Sequence, residues 1–91
     1  MKPQALLAEF LGTFRLLTSI LFTGSWFTIG FTLAGIIWAV GEISGGHVNP
    51  AVSFAMYLKE GNTFSFNDFL SYSVVQVIGA FLALVLYRNL A

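Results

Sequence analysis

Apolar residues fall into three long runs, separated by one short turn and one polar, glycine-rich stretch. The first run is Ala5 to Thr23 (ALLAEFLGTFRLLTSILFT), and the second is Trp26 to about Ile43 (WFTIGFTLAGIIWAVGEI). The third extends from about Asp68 to Arg88 (DFLSYSVVQVIGAFLALVLYR). A helix crosses the hydrocarbon core of a bilayer with about 20 residues at about 1.5 Å each. All three runs meet that length, the second with little room for tilt. Gly24-Ser25 predicts a tight turn between the first two helices. Ser65 or Asn67 supplies an N-cap for the third, and Tyr87 and Arg88 stand where interfacial anchors belong.

The interruption, residues 44–60, has its own logic. It begins SGGHVNPAV and continues into an apolar segment. Asn49 is a good N-cap and Pro50 suits a first helical position, so Asn49-Pro50 predicts a helix start rather than a kink. The helix is expected from Pro50 to about Glu60, with Gly61 as its stop signal. About ten residues rise about 15 Å, which is half a hydrocarbon thickness. Such a helix cannot span. Joined to a polar lead-in, it predicts a re-entrant segment that dips into the membrane and returns. Irregular backbone at that depth is tolerated only within protein or along a water-filled path. The positive end of the helix dipole and the two Asn49 amide donors would then face that path, a geometry that suits neutral solutes and repels cations.

Each run carries small or polar residues at helical spacing. They are Glu9, Gly12, Ser19 and Thr23 in the first; Thr28, Thr32, Gly35 and Ala39 in the second; and Tyr72, Gln76, Gly79 and Ala83 in the third. Steps of three, four and seven keep each set on one face, and such faces pack helix against helix. Glu9 and Gln76 demand more, because a buried carboxylate or amide needs a hydrogen-bonding partner. Arg15, near the middle of the first run, calls for a subunit or carboxylate contact. Trp26, Trp38 and Tyr57 read as interface or packing aromatics.

Composition narrows the function classes. Hydrophobic residues make up 57% of the chain and charged residues 9%, too little charge to cover a soluble domain. Net charge is zero, so no electrostatic footprint for nucleic acid exists. There is no cysteine, which removes disulfides and thiolate metal sites. Glu42 and His47 across a Gly-Gly turn make a poor metal site, so neither a metal nor another cofactor is expected. No nucleophile–base pair or phosphate loop points to an enzyme. Met1-Lys2 before an apolar run is compatible with a signal peptide, but Glu9 and Arg15 interrupt that run and two further spans follow. Lys2, the amino terminus and Lys59 fall on one side of the membrane and Arg88 on the other. This weak bias favours a cytoplasmic amino terminus in the cell (inner) membrane and leaves dual orientation open.

The stretch SGGHVNPAV resembles the first NPA box of the aquaporins, the major intrinsic proteins. AEFLGTF (Ala8 to Phe14) resembles that family's first-helix signature. Tyr72, Gln76 and Gly79-Ala80 match its third-helix pattern. The resemblance implies an all-α membrane protein: three transmembrane helices plus one re-entrant half-helix, half of the aquaporin fold. It implies that Asn49 donates hydrogen bonds to the permeating molecule, and that Pro50 and Ala51 shape the helix start and its packing against an opposing half-helix. The carbonyls of Gly45, Gly46, His47 and Val48 would form an acceptor ladder. Glu9 resembles a family glutamate that accepts bonds from loop N–H groups, and Gln76 would support the same loop. The residue before Gly30, Ile29, occupies a selectivity-filter position.

The departures are equally informative. These 91 residues carry one NPA box, whereas a family chain carries two inverted repeats. The filter arginine belongs to the second box and has no counterpart here; Arg15 is not it. Ile29 stands where water-selective members have an aromatic residue or histidine, and the first connection is short. Two expectations result. One is a passive channel for water or a small neutral solute such as glycerol, formed in the bilayer after assembly with a second half-repeat. That half-repeat would come from a homo-oligomer or a complementary half-channel. The other is a truncated or remnant membrane protein, an interaction subunit with no conduction of its own.

Overall fold

The computed structural model describes residues 2–91. Its elements are four helices: α1 (Pro3–Thr23), α2 (Trp26–Ser44), α3 (Pro50–Lys59) and α4 (Phe66–Leu90). No strand occurs among the described residues. Three of the helices, α1, α2 and α4, are long and apolar enough to cross a membrane. At about 1.5 Å per residue, the 25 residues of α4 exceed a hydrocarbon thickness of about 30 Å, so its ends protrude or the helix tilts.

Local chemistry explains the helix limits. Pro3 opens α1 at a position where its missing N–H costs nothing. Gly24 closes α1 in the left-handed region (φ 57°), and Ser25 caps α2 by accepting the Thr28 N–H at 3.3 Å. A capping box starts α4: Ser65 Oγ accepts the Asp68 N–H at 3.1 Å, and Asp68 Oδ2 accepts the Ser65 N–H at 3.0 Å. Of the two cap candidates, Ser65 is therefore the one used. The stop of α3 differs from expectation. Its C-cap is Glu60 (φ −127°), and Gly61 lies one residue further on in a turn without a positive φ. The Phe64 N–H bonds the Glu60 carbonyl at 2.8 Å, so the chain turns without a left-handed glycine.

Helix α1 is central, packed against α2 on one side and α4 on the other, while α3 packs on α4. The α1–α4 seam is tight because Gly79 lacks a side chain. A Cβ there would stand 2.7 Å from the Phe10 carbonyl oxygen and 3.2 Å from the Phe14 nitrogen. Both are backbone atoms with little freedom to retreat. The α4 stripe behaves as its spacing implies, with Tyr72, Gln76, Gly79 and Ala83 all buried. Helix α2 does not follow this pattern. Thr32 bonds Ser19 across the seam at 3.0 Å, yet Thr28, Gly35 and Ala39 are exposed. It turns Ile36 toward α1 instead.

Candidate functional site

The site is the lead-in to α3, and it is assembled from the ends inward. Helix α2 stops at Gly45 (φ 95°), and Gly46 follows with φ 64°. Both values are natural for glycine and strained for other residues. Val48 also has a positive φ, 45°. A β-branched residue there carries strain on the order of 1–3 kcal/mol, which persists only where surroundings over-determine it. The surroundings do so. The Val48 N–H donates to Glu9 Oε1 at 2.7 Å, and its side chain fills the notch over Gly12, where an added Cβ would stand 2.7 Å from Val48 Cγ1.

Glu9 is fully buried and organises the loop. Its Oε2 accepts the His47 N–H at 3.0 Å and the Ser44 hydroxyl at 2.7 Å. Its Oε1 accepts the Val48 N–H and, at 2.9 Å, the Gln76 amide. Four donors thus surround one carboxylate, which is how a charge is held in an apolar interior without a counter-cation. The Ser44 hydroxyl also accepts the Gly46 N–H at 3.2 Å, and the Tyr72 hydroxyl donates to the Ser44 carbonyl at 2.6 Å.

A second tier lies behind the loop. Gln76 Nε2 donates to Ser53 Oγ at 3.0 Å as well as to Glu9, so both amide hydrogens are engaged. Ser53 Oγ lies 2.9 Å from His47 Nδ1. The Gln76 bond occupies one of the two Ser53 lone pairs; we assign the Ser53 hydrogen to Nδ1, which makes His47 the Nε2–H tautomer. The His47 ring packs on Phe64 and Tyr72, with centroids 5.1 and 5.0 Å away. The ring therefore faces the bundle. Gln76 Oε1 is buried without a partner within the described residues.

The donors and acceptors of the loop end in opposite states. The N–H groups of Gly45, Gly46, His47 and Val48 are all bonded, to Gly41, Ser44 and Glu9. Among the described residues, no donor reaches the carbonyl oxygens of the same four. At the start of α3, Asn49 Oδ1 accepts the Ala51 N–H at 2.8 Å, which fixes the amide and leaves Nδ2 unbonded on an exposed residue. Pro50 has no N–H, so the uncapped donor of this helix end is Val52. The polar groups of this segment left without a partner among the described residues are thus the four carbonyl oxygens, the Asn49 Nδ2 hydrogens and the Val52 N–H.

Ile29 takes no part in this cluster. It is half-buried, two turns from Ile36 or about 10 Å along α2. Sequence reasoning brought Glu9, Gln76 and Tyr72 forward but missed Ser44, Ser53 and Phe64. Ser44 carries a readable signal, a hydroxyl beside a Gly-Gly turn that must satisfy bent backbone. Ser53 and Phe64 carry none, since their roles depend on where α3 lies.

The family model described as major intrinsic protein matches residues 2–91. Aquaporin AqpM of Methanothermobacter thermautotrophicus is 39% identical over 96% of this chain and 40% of its own length. Aquaporin Z of Photorhabdus laumondii is 39% identical over 88% of this chain and 40% of its own. Glycerol uptake facilitator protein-like 6 of Lactiplantibacillus plantarum is 42% identical over 85% of this chain and 39% of its own. The chain thus spans about 40% of the length of these relatives. No solved structure matches it significantly. The family is one of channels rather than enzymes. With three apolar helices of spanning length, a half-helix led in by a bonded polar loop, and a family match over residues 2–91, the chain is a multi-pass membrane protein that belongs to the major intrinsic protein family.

Proposed function

We propose that this half-repeat forms one half of a passive channel for water or small neutral solutes. The observation that carries the reading is the sorting of the loop's backbone, with four N–H groups bonded and four carbonyl oxygens free. A free carbonyl at membrane depth is costly unless it faces a polar path. Gly45, Gly46, His47 and Val48 supply the acceptors, and Asn49 supplies two donors at the turn into α3. A neutral hydroxyl-bearing molecule exchanges its own hydrogen bonds along such a row, whereas a cation meets the positive end of the helix. Glu9 and Gln76 hold the row from behind. Pro50 and Ala51 form the blunt helix start against which an opposing half-helix packs, and Ile29 limits the bore on α2.

Helix α3 rises about 15 Å, half the depth of the membrane, and meets no other half-helix within residues 2–91. The conducting unit therefore includes a second, inverted half-repeat. The same observation supports a second reading, a membrane-embedded interaction subunit without conduction of its own. The cell membrane, with a cytoplasmic amino terminus, is the location proposed for either. Stopped-flow light scattering on proteoliposomes containing this chain separates the two. The channel reading expects water or glycerol permeability above that of empty liposomes. Permeability equal to empty liposomes, with protein inserted, favours the interaction subunit.

A further inference from the structure

Where α1 begins and α2 ends, the hairpin holds a cavity of about 280 Å³ lined by Lys2, Gln4, Glu42 and Ile43. The loop cluster makes no use of it. Glu42 is five residues past Ile37, which packs on Gly46 of the loop. At about 100° per residue, Glu42 stands about 140° round α2 from Ile37, on the flank away from the loop.

The lining carries both signs of charge, and they are not spent on each other. The one ion pair among the described residues is Lys59–Glu60, so the Lys2 ammonium and the Glu42 carboxylate line one cavity without meeting. Arg15, the other exposed charge of the hairpin, is engaged within its own helix, where Nη1 donates to Thr18 Oγ1 at 3.1 Å.

Depth says what adjoins the cavity. With the middle of each helix at the midplane, Glu42 lies about 10 Å out, Gln4 about 13 Å and Lys2 about 16 Å, all on the side of the amino terminus. The hydrocarbon ends at about 15 Å and lipid phosphates lie at about 20 Å. The cavity therefore opens at the boundary of hydrocarbon and headgroups, with the base at its rim and the acid below. A carboxylate at that depth is costly without a cation, and the adjoining headgroup layer can supply one.

The lining discriminates among headgroups. Lys2 suits a phosphodiester. Glu42 repels a headgroup that is only anionic and calls for a cationic end beside the phosphate. A choline offers that charge without an N–H, and quaternary ammonium groups are held by aromatic faces, of which this lining has none. An ethanolamine ammonium brings three N–H donors, which the Glu42 carboxylate and the Gln4 amide oxygen can accept. The volume is below the roughly 300–1,000 Å³ of pockets for drug-sized ligands, which suits a headgroup.

We propose that this cavity binds the headgroup of a phosphatidylethanolamine, with the phosphate on Lys2 and the ammonium bent down into the seam onto Glu42 and Gln4. Ile43 packs against the glycerol end. The site rests on the chain being a membrane protein and is independent of conduction.

Native mass spectrometry of the purified chain tests it. The chain is released from micelles that contain equimolar dioleoyl phosphatidylethanolamine, phosphatidylcholine and phosphatidylglycerol. The ethanolamine lipid should be retained at least five-fold over either of the others. Its mono- and dimethylated forms should be retained in falling order, as N–H groups are lost one at a time. Glu42→Gln should lower retention of the ethanolamine lipid at least five-fold, Lys2→Gln should lower it at least three-fold, and Lys59→Gln should leave it unchanged. Equal retention of the ethanolamine and choline lipids would indicate a non-selective lipid annulus and overturn the proposal. So would preferred retention of phosphatidylglycerol, or an ethanolamine preference that survives Glu42→Gln. Displacement of the lipid by equimolar free phosphoethanolamine would mark a site for a soluble ligand and equally overturn it. The substituted positions are exposed, so circular dichroism should report the same helix content in every variant.

Discussion

The interior behind the loop and the outward face of α2 are built from the same kind of residue and end in opposite states. Glu9, Gly12, Tyr72, Gln76 and Gly79 lie on faces of α1 and α4 that close on each other and on the loop. Thr28, Gly35 and Ala39 lie on a face of α2 that meets nothing within residues 2–91. The difference comes from position in the bundle. Helix α1 has a neighbour on each side, while α2 has α1 alone. Small and polar residues at helical spacing therefore announce that a face will be packed, and they do not say by what.

The strongest way to sharpen this contrast is to remove one acid from each region. Glu9→Ala strands two backbone N–H groups, a hydroxyl and an amide in the interior, and should cost about 3–5 kcal/mol. Glu42→Ala should change the stability of the single repeat by less than about 0.5 kcal/mol. Thermal unfolding in detergent, under conditions that keep the chain monomeric, checks both. Next come the glycines. Gly79→Val drives a side chain into the backbone of α1 and should cost about 1–3 kcal/mol, whereas Gly35→Val meets open space and should fall within about 0.5 kcal/mol. Similar losses at the two sites would erase the distinction between a closed face and an open one.

Ser53→Ala probes the second tier. Loss of the hydroxyl leaves His47 Nδ1 and one Gln76 hydrogen without a partner, at about 1–2 kcal/mol. Nitrogen-15 shifts of His47 should report Nε2–H in the parent chain and a tautomer mixture in the variant. A parent signal for Nδ1–H would reverse the hydrogen-bond directions assigned to Ser53. The smallest effect on stability is expected from Ile29→Phe, which stands apart from the cluster and should act on flux alone. A larger side chain there should lower glycerol permeation relative to water, and an unchanged ratio would remove Ile29 from the bore.

Much of this was legible because the membrane limits the possibilities. Three spans and a half-length helix follow from counting apolar residues against a fixed thickness. The need of Glu9 for partners follows from the cost of a buried carboxylate. Other features depend on contacts that no local pattern specifies. The left-handed Val48 exists because Glu9 and the Gly12 notch hold it, and valine by itself gives no sign of that conformation. His47 reads as part of a pore loop, yet its ring turns inward because Ser53, Phe64 and Tyr72 are there to receive it. Glu60 ends α3 in place of Gly61 because the turn through Phe64 bonds back to its carbonyl.

The central claim is that the bonded loop presents its free carbonyls and the Asn49 amide to a permeating solute. Asn49→Asp tests it most directly, because an aspartate oxygen still caps the Ala51 N–H while both amide donors are lost. Osmotic and glycerol permeability of proteoliposomes should be raised by the parent chain and should fall at least ten-fold toward the empty-liposome value in Asn49→Asp at matched insertion and thermal stability. Equal permeability in the two, or none above empty liposomes in the parent, would contradict the account.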